Sequence, residues 1–531
     1  MKGRQPDPAA LAELRDILGE EGLRRDMLLE YLHALQDHHG HLSTRLLAAL
    51  AQAMRLSQAE VYEVASFYHR FRIVGEAEAA PAGRRVDVCD GLVCQLAGAD
   101  ALAAALAADG GDGRIGRGAC MGRCEQAPVA AADDSYIGQA DPARIAAGLR
   151  GEIVEDRAPE VTFADYREGG GYDLLQQCRN GDHEPDWIIG RLSDSGLRGL
   201  GGAGFPTGRK WQLVRAEPAP RLLVVNADES EPGTFKDRYY LERDPHRFIE
   251  GMLLAAWTVA ADEIYIYLRD EYPHLRRLLQ RELVVARQAG IAVPEVHLRR
   301  GAGAYVCGEE SAMLESIEGK RGLPRQRPPY PSQSGLFGRP TLINNVETLY
   351  WVRDAVNDGG DWPGQRSFSV SGRVREPGVK LAPAGISLRR LIDDYCGGMA
   401  DGHQLAAFLP GGASGGILPA ELADQPLDFG SLEDHGGLLG SAAVIVLSDR
   451  DDIRAAVANL MRFFADESCG QCTPCRLGTE KAVAMLAAGP ADAAALADLA
   501  QVMADASICG LGHAAANPLR CALRHFPGAI A

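Results

Sequence analysis

Arg221-Leu-Leu-Val-Val-Asn-Ala-Asp-Glu-Ser-Glu231 joins a short apolar run directly to a polar one. An apolar, β-branched run of this length, followed by polar turn residues, predicts a buried strand over 221–225. A second such run predicts a strand over 263–268, and the segment 274–288 after it is predicted to be helical. Because strands alternate with helices, the region from about 170 to 360 is predicted to be an α/β layer structure.

Polar side chains follow the first predicted strand at its carboxyl end, over residues 226–237. Sheets of this kind bind their ligands beyond the carboxyl ends of the strands. These amide and carboxylate groups therefore suit hydrogen bonds to a polar ring or a ribitol chain, and a solvated acidic loop is the alternative. Two more polar stretches, 303–310 and 344–348, could belong to the same site, or each could be a turn or a helix cap.

The segment Gly199-Leu-Gly-Gly-Ala-Gly204 matches the G-x-G-x-x-G pattern of dinucleotide-binding folds. Its context does not fit that motif, because no apolar strand precedes it and Phe205-Pro-Thr-Gly208 cannot open a regular helix at once. The pattern instead indicates a glycine-rich loop that lets the backbone approach a planar or phosphorylated ligand, with a structural turn as the alternative. Lys210 could supply a positive charge to a phosphate.

The C-terminal part contains a run of three cysteines, Cys469, Cys472 and Cys475, and a distant Cys509. A C-x₂-C-x₂-C loop can bind three corners of a cubane, and the fourth thiolate comes from elsewhere, so the pattern favours a [4Fe–4S] cluster. Zinc is the main alternative, although its sites usually consist of two separate C-x₂-C pairs. Unligated thiols are the third possibility.

Four more cysteines are grouped nearer the N-terminus, Cys89 and Cys94 in C-x₄-C spacing and Cys120 and Cys124 in C-x₃-C spacing. Four thiolates in this arrangement fit a [2Fe–2S] centre. Zinc or a redox dithiol would also fit this group taken alone, and the second cysteine group in the same chain favours the redox interpretation.

Composition and charge exclude several classes of protein. The 531 residues carry a net charge of −17, so a nucleic-acid-binding role is not expected. The N-terminus lacks the apolar core of a signal peptide, and the longest apolar run, near 252–261, is too short to span a bilayer. We therefore expect a soluble, cytoplasmic chain with no direct membrane insertion, in which clustered cysteines among the twelve serve metal or redox chemistry.

Taken together, these segments resemble one family. Residues 199–210, 226–238, 305–310, 344–349 and 469–509 are similar to the NADH-binding flavoprotein subunit of respiratory complex I and its soluble relatives.

The upstream part, with Val64-Ala-Ser-Phe-Tyr68, the four N-terminal cysteines and Glu125-Gln-Ala-Pro128, is similar to the thioredoxin-like [2Fe–2S] subunit of the same system. The implied fold is multidomain, α/β and α+β: N-terminal helices (1–73), a linker over 74–84, a thioredoxin-like [2Fe–2S] domain (84–152), an FMN- and NAD-binding α/β domain (165–362), a β-grasp module (366–445) and a helical [4Fe–4S] domain (446–531).

The resemblance also implies a set of site residues. The phosphate, ribitol and ring of FMN would be held by Gly199, Gly201, Lys210, Asn226, Asp228, Asn344, Asn345 and Thr348. The wider cofactor-binding site would also include Gly202, Gly204, Tyr305, Gly308 and Glu309. Glu229 and Glu310, the candidate catalytic residues, would face the isoalloxazine and nicotinamide rings, and Glu310 would bias the site electrostatically. Phe205 would stack on the NAD adenine near Glu231, and Tyr330 stands where the family usually has a second stacking phenylalanine.

Three features depart from the family pattern. The family usually has arginine where this chain has Leu200 and phenylalanine where it has Leu213, and the spacing between Cys94 and Cys120 is shorter than usual.

The resemblance implies a diaphorase, in which a flavin stands between NADH, a two-electron donor, and clusters that take single electrons. Fusion of the two modules is typical of soluble complexes, and an intact N-terminal cysteine set on a chain of this length most resembles the β subunit of a soluble NAD-dependent formate dehydrogenase. Its partner would be a molybdenum or tungsten α subunit with further iron–sulfur clusters, and a small accessory [2Fe–2S] subunit could accompany it. The alternatives are the diaphorase subunit of a NAD-reducing hydrogenase, a complex I-type NADH:quinone oxidoreductase and, outside the enzymes, a non-catalytic metal-binding scaffold.

Overall fold

The computed structural model describes residues 5–19, 22–75, 84–108, 114–153, 158–489 and 491–530. These ranges contain several sheets and many helices, which confirms the predicted multidomain α/β and α+β class. Most of the predicted linker, residues 76–83, lies outside the described residues. Every helix in these ranges is too short or too polar to cross a bilayer.

The N-terminal region is helical, as predicted. Its helices are α1 (Pro8–Leu18), α2 (Leu28–His39), α3 (Thr44–Met54) and α4 (Gln58–Phe67), and two short parallel strands, β1 (Leu42–Ser43) and β2 (Ile73–Val74), accompany them. The Ser57 side chain begins α4 by accepting a hydrogen bond from the Glu60 amide at 3.1 Å. Such a bond satisfies an amide that has no partner within the helix.

The first cysteine group lies on a four-stranded sheet in the order β4-β3-β5-β6. The elements are β3 (Arg85–Cys89), α5 (Leu92–Leu96), α6 (Ala99–Ala108), β4 (Arg114–Gly118), β5 (Ala130–Ala132), β6 (Ser135–Ile137) and α7 (Pro142–Leu149). β3 is parallel to β4 and antiparallel to β5. Cys89 is the last residue of β3, one of the two inner strands, so the chain leaves the sheet at a predicted ligand.

The central region has four parallel strands in the order β10-β7-β8-β9. Its elements are α8 (Phe163–Glu168), α9 (Asp173–Asn180), α10 (Pro185–Asp194), α11 (Thr207–Arg215), β7 (Arg221–Ala227), α12 (Lys236–Arg243), α13 (Pro245–Val259), β8 (Ala261–Leu268), α14 (Pro273–Gln288), β9 (Glu295–Arg300), α15 (Glu310–Ile317), β10 (Thr341–Asn345) and α16 (Val346–Asp358). The predicted α/β alternation is confirmed.

The β7 strand is apolar on both sides because both faces of this sheet are covered. Leu222 and Val224 belong to a core shared with the N-terminal helices, whereas Leu223 and Val225 belong to a core built from the helices on the other face. A strand buried on both faces has no reason to alternate polar and apolar residues.

The helix after the glycine loop differs from our prediction. We expected Phe205-Pro-Thr-Gly208 to delay a helix, but α11 begins at Thr207, directly after Pro206. Proline is compatible with a helix start because the first helical amides have no acceptor within the helix.

The region after α16 forms a five-stranded mixed sheet in the order β12-β11-β15-β13-β14. Its elements are β11 (Gln365–Gly372), β12 (Gly378–Pro383), α17 (Leu388–Arg390) with a π-helical extension (Leu391–Tyr395), β13 (Leu405–Leu409), β14 (Leu418–Pro419) and β15 (Ala443–Ser448). The helices α18 (Ile453–Asp466), α19 (Thr473–Ala487), α20 (Ala493–Ala506), α21 (Gly510–Ala514), α22 (Asn517–His525) and α23 (Pro527–Ile530) follow. Sheet and helices share one hydrophobic core.

Candidate redox site

The central sheet has a topological switch point between β7 and β10. The chain continues from β7 to β8 and β9 on one side, whereas β10 pairs with β7 on the other. Asn226 and Asn345 are register partners at the carboxyl ends of these two strands. In sheets of this kind the connections diverge at the switch point and leave a crevice that binds ligands.

The glycine loop lies against this crevice. The Leu200 amide donates a hydrogen bond to the Thr348 hydroxyl at 2.9 Å, and the Lys236 ammonium donates to the Leu200 carbonyl oxygen at 2.9 Å. A Cβ atom at Gly201 would lie 3.2 Å from the Asn345 Cβ. Gly201 therefore allows the backbone to approach the strand end more closely than a larger residue would.

Three asparagine side chains at the strand ends join the surrounding elements. Asn226 donates to the Gly308 carbonyl oxygen at 2.9 Å, and Asn344 accepts from the Trp211 indole at 2.9 Å. Asn345 accepts from the Thr348 amide at 3.0 Å and so caps α16. The predicted residues from all four sequence segments thus meet at one edge of the sheet.

Two helix N-termini and one lysine border the crevice, together with the carboxylates of Glu309 and Glu310. α15 begins at Glu310 and α16 at Val346, both directly after crevice residues. Lys210 forms an ion pair with Glu310, and both side chains are about one quarter to one third exposed, at 26% and 31%. Helix N-termini and a lysine suit a phosphate group.

Glu309 begins α15 as its N-cap. Its carboxylate accepts hydrogen bonds from the Ser311 and Ala312 amides, both at 2.9 Å, and pairs with Arg327. It therefore has partners within the protein at each carboxylate oxygen.

Glu229 lies deep in the same region and binds α12. It accepts hydrogen bonds from the Asp237 and Arg238 amides at 2.7 and 3.1 Å and from the Tyr272 hydroxyl at 3.1 Å. Burial raises the pKa of Glu229 to about 8, and the negative charge of Asp237 adds to this effect. Burial likewise raises the pKa of Asp228 to about 8. The two glutamates predicted to face the rings thus have different partners, α12 for Glu229 and Lys210 for Glu310.

Tyr305 connects the crevice to the β-rich sheet and to the C-terminal helices. Its hydroxyl donates to Glu231, which also accepts from the Ser414 amide at 2.7 Å. Its backbone amide donates to Glu467 at 2.8 Å, just after α18 and close in sequence to Cys469. Burial raises the pKa of Glu231.

The side chains predicted to stack on adenine are exposed. Phe205 and Tyr330 are 42% and 54% exposed, and Leu213, which stands where the family has a phenylalanine, is 46% exposed. A Cβ atom at Gly204 would lie 3.1 Å from the Phe429 ring, so Phe429 packs beside the glycine loop.

Sequence reasoning missed two groups that build the crevice. Lys236 is buried, pairs with Glu347 and holds the Leu200 carbonyl. The only indication in the sequence that Lys236 belongs to the site was its position in the polar segment that follows β7. Nothing in the sequence indicated that Phe429 would pack beside the glycine loop, because it lies between β14 and β15, more than 200 residues after that loop.

The C-terminal cysteines meet at the ends of three helices. Cys469 follows α18, Cys472 and Cys475 lie at the start of α19, and Cys509 precedes α21. A Cβ atom at Gly512 would lie 3.5 Å from the Cys475 Cβ, which places the Cys509 turn against the loop. Burial, and to a lesser degree the nearby Cys469, raise the pKa of Cys509 to about 11.

The N-terminal cysteines also meet, and all four are buried. The Sγ atoms of Cys120 and Cys124 lie 3.5 Å apart. A Cβ atom at Gly91 would lie 3.6 Å from both the Cys89 Sγ and the Cys120 Cβ. The neighbouring Cys120 and Cys94 thiols raise the pKa of Cys89, which places Cys94 in the same group.

Within the described ranges, no three His, Cys, Asp or Glu side chains converge on one position as the ligands of a single ion do. Iron–sulfur clusters distribute their thiolates over several iron atoms, so their sulfur atoms need not converge on one point. Both cysteine groups therefore fit clusters by donor type and number.

Three family models match the chain. Residues 192–354 match the Nuo51 FMN-binding domain, residues 14–151 match the thioredoxin-like [2Fe-2S] ferredoxin, and residues 455–531 match the NADH-ubiquinone oxidoreductase-F iron-sulfur binding region. The chain thus has an FMN-binding domain and regions for a [2Fe–2S] and a [4Fe–4S] cluster, in agreement with the two cysteine groups. These matches favour clusters over zinc.

Curated relatives agree with the family models. An NADH-quinone oxidoreductase subunit of Rhizobium meliloti is 43% identical over 389 residues, covering 68% of this chain and 92% of the relative. The mitochondrial NADH dehydrogenase [ubiquinone] flavoprotein 1 of Dictyostelium discoideum is 42% identical over 375 residues, covering 65% and 78%.

A solved structure also matches nearly the whole chain. It is a chain of NAD+-reducing [NiFe]-hydrogenase in the H2-reduced state, with a TM-score of 0.83 and 36% sequence identity. The match covers 96% of this chain and 92% of that chain, so it includes the N-terminal cysteine sheet together with the central and C-terminal regions.

Proposed function

The chain belongs to the family of NADH-quinone oxidoreductase flavoproteins, and from this premise we propose that it is the diaphorase subunit of an NAD-linked oxidoreductase complex. It exchanges electrons between NAD(H), FMN and its two clusters. The observation that carries this proposal is the hydrogen bond from the Tyr305 amide to Glu467. Tyr305 belongs to the turn that also contains Gly308, which Asn226 holds, and Glu467 immediately precedes the Cys469 loop. The crevice that would hold the flavin is thus hydrogen-bonded to the segment that leads into the C-terminal cysteine loop.

When bound, FMN would supply the link between a two-electron and a one-electron couple: one hydride, with its two electrons, would come from NADH, and the electrons would leave singly to iron–sulfur clusters. The chain's own residues orient the reactants. The glycine loop and Lys210 would hold the phosphate, while Asn226, Asn344 and Asn345 would hold the ribitol and ring edge. Phe205 and Tyr330 would stack on the adenine of NAD(H), because both rings are exposed. No side chain needs to act as a nucleophile.

Glu310 would tune the site through its charge. It pairs with Lys210, so the cation next to the phosphate position is partly neutralised in this structure. We propose that Glu310 adjusts the electrostatic potential where the nicotinamide binds.

Two partners are candidates for the subunit that holds the second substrate. A hydrogenase is favoured because the solved chain from a NAD+-reducing [NiFe]-hydrogenase matches the fused architecture over 96% of this chain. A molybdenum or tungsten formate dehydrogenase is the second candidate, favoured by the intact N-terminal cysteine set on a chain of this length. We propose the hydrogenase type first because a solved hydrogenase chain matches this chain over nearly its whole length.

A single preparation tests the diaphorase proposal. The purified full chain, reconstituted with FMN, iron and sulfide, should reduce an artificial one-electron acceptor with NADH and contain about six irons, four plus two. Gly201→Val should lose FMN and activity but keep its iron, because its side chain would meet Asn345. Gly190→Val is the matched control, since Gly190 has open space around its Cβ position. A wild-type chain without flavin and without activity would contradict the proposal.

The partner is tested on the complex from the native host. A tagged chain should co-purify with a large subunit, and NAD+ reduction should be measured with H2 and with formate. Activity with H2 supports the hydrogenase type, activity with formate supports the second candidate, and activity with neither contradicts both.

A further inference from the structure

Arg269 connects the flavin region to the N-terminal cysteine group. It directly follows β8, at the sheet edge that holds the crevice. Its Nη2 donates a hydrogen bond to the Cys120 carbonyl oxygen at 2.7 Å, and its Nη1 donates to the Glu229 carbonyl oxygen. The residue is buried, with 3% of its surface exposed. One guanidinium group therefore contacts a cluster-ligand residue and the polar strand end at the same time.

The loop that carries Cys120 and Cys124 is held closely against this arginine. Gly122, between the two cysteines, has a φ of +68°. A Cβ atom there would lie 2.9 Å from the Arg269 Nη1. Both the conformation and the contact require glycine. The loop is therefore fixed relative to the guanidinium, and the distance from the charge to the cluster position is set by the fold.

A second buried arginine contacts the same loop but is more fully neutralised. Arg238 donates to the Gly122 carbonyl oxygen at 3.2 Å and pairs with both Glu125 and Glu242. Among the residues that the structure describes, Arg269 pairs with one carboxylate, that of Glu271, at 3.0 Å. The positive charge of Arg269 is therefore less fully neutralised by carboxylates than the positive charge of Arg238.

We propose that Arg269 is a positioning residue that raises the reduction potential of the N-terminal [2Fe–2S] cluster. The inference rests on the proposed function, in which Cys89, Cys94, Cys120 and Cys124 hold that cluster. Reduction adds negative charge to a cluster, and a nearby buried cation stabilises the reduced form. Burial strengthens this interaction because salt screens buried charges much less than exposed ones.

The test is a redox titration of the full reconstituted chain, with each cluster followed by its electron paramagnetic resonance signal. Arg269→Gln should shift the [2Fe–2S] midpoint potential to lower values and leave the [4Fe–4S] midpoint unchanged. Arg269→Lys keeps the charge and should show a smaller shift. Glu271→Gln removes the compensating carboxylate and should shift the [2Fe–2S] midpoint in the opposite direction.

Arg299→Gln is the matched control, because Arg299 is similarly buried, at 6% exposed, but pairs with Asp26 in the N-terminal region. It should leave both midpoints unchanged. An unshifted [2Fe–2S] midpoint in Arg269→Gln, with full iron content, would overturn the inference.

If Arg269→Gln does not assemble, Glu271→Gln decides: a positive shift supports the inference and an unchanged midpoint overturns it. A wild-type chain that shows no [2Fe–2S] signal would overturn the cluster assignment itself, and this inference with it.

Discussion

The Thr348 hydroxyl accepts a hydrogen bond from the Leu200 amide at 2.9 Å, and so joins the first turn of α16 to the middle of the glycine loop. Both residues are buried. The bond therefore determines how closely the loop approaches the end of β10, and loss of it would leave a buried amide without a partner.

Thr348→Val, which keeps the shape but removes the acceptor, should destabilise the central region by about 1–3 kcal/mol, the cost of an unsatisfied buried donor. FMN affinity should fall because the loop loses its anchor. Flavin fluorescence titration and urea denaturation measure the two effects. Thr258→Val is the control: Thr258 is also buried, but its hydroxyl bonds only within α13. Equal FMN affinity in the two variants would contradict the expected role of Thr348.

Lys236→Met should be strongly destabilising. Lys236 and Glu347 are buried, and removing one partner of a buried ion pair typically costs about 3–5 kcal/mol. Lys236→Met/Glu347→Gln should recover part of this loss, because the uncompensated charge is removed. Urea denaturation followed by circular dichroism checks both. A single variant as stable as the wild type would show that the pair contributes nothing to stability.

Glu310→Gln should lower kcat/KM for NADH by about fivefold, equivalent to ~1 kcal/mol for a partly exposed charge. The expected cause is the loss of the Glu310 charge, which changes the electrostatic potential at the nicotinamide position and leaves Lys210 without this partner. Steady-state kinetics with an artificial acceptor measures the change. Glu315→Gln, on the same helix and paired with Arg325, is the control. Unchanged NADH kinetics in Glu310→Gln would rule out an electrostatic role.

Stability should decrease with rising pH through Glu229. Its folded pKa is about 8, above its ordinary value of 4.5, so between these values the folded state holds a proton that the unfolded state has lost. The stabilisation from this proton is fully present below pH 4.5 and is lost as the pH rises to 8. Over that range the free energy of unfolding falls by at most ~1.4 kcal/mol per pH unit. Glu229→Gln should reduce the fall in melting temperature between pH 5 and 8 and leave the part that is due to Asp228, whose pKa is also about 8. An identical slope in the variant would contradict this assignment.

Cys124→Ser should reduce the iron content from about six to about four per chain while the [4Fe–4S] signal persists. Cys475→Ser should instead leave about two irons. Cys178→Ser is the control, because Cys178 is buried in the core of the central region, apart from both cysteine groups. Iron assays with paramagnetic resonance distinguish the variants. Iron loss in Cys178→Ser equal to that in Cys124→Ser would remove the basis for a separate N-terminal cluster.

The sequence predicted the elements and the donor types because these depend on neighbours along the chain. An apolar run with polar turns forms a strand wherever both its faces can be buried, as β7 is here. Cysteine spacing in a single loop limits which metal group can bind, whatever the rest of the fold. Helix starts were less predictable: α11 begins at Thr207, where Pro206 had suggested a delay.

The partners of the buried charges were decided only by the tertiary structure. Tyr305 contacts Glu467, Lys236 contacts Glu347, and Arg269 contacts the Cys120 carbonyl, each across more than 100 residues of chain. No local pattern specifies such pairs, because many carboxylates and carbonyls would satisfy a given cation equally well. The sequence by itself determined the α/β layer and the grouping of eight cysteine donors into two sets of four. Which charges meet was decided by how the sheet, its covering helices and the cysteine loops pack together. Each buried charge needs a partner, and the packing determines which partner lies within reach.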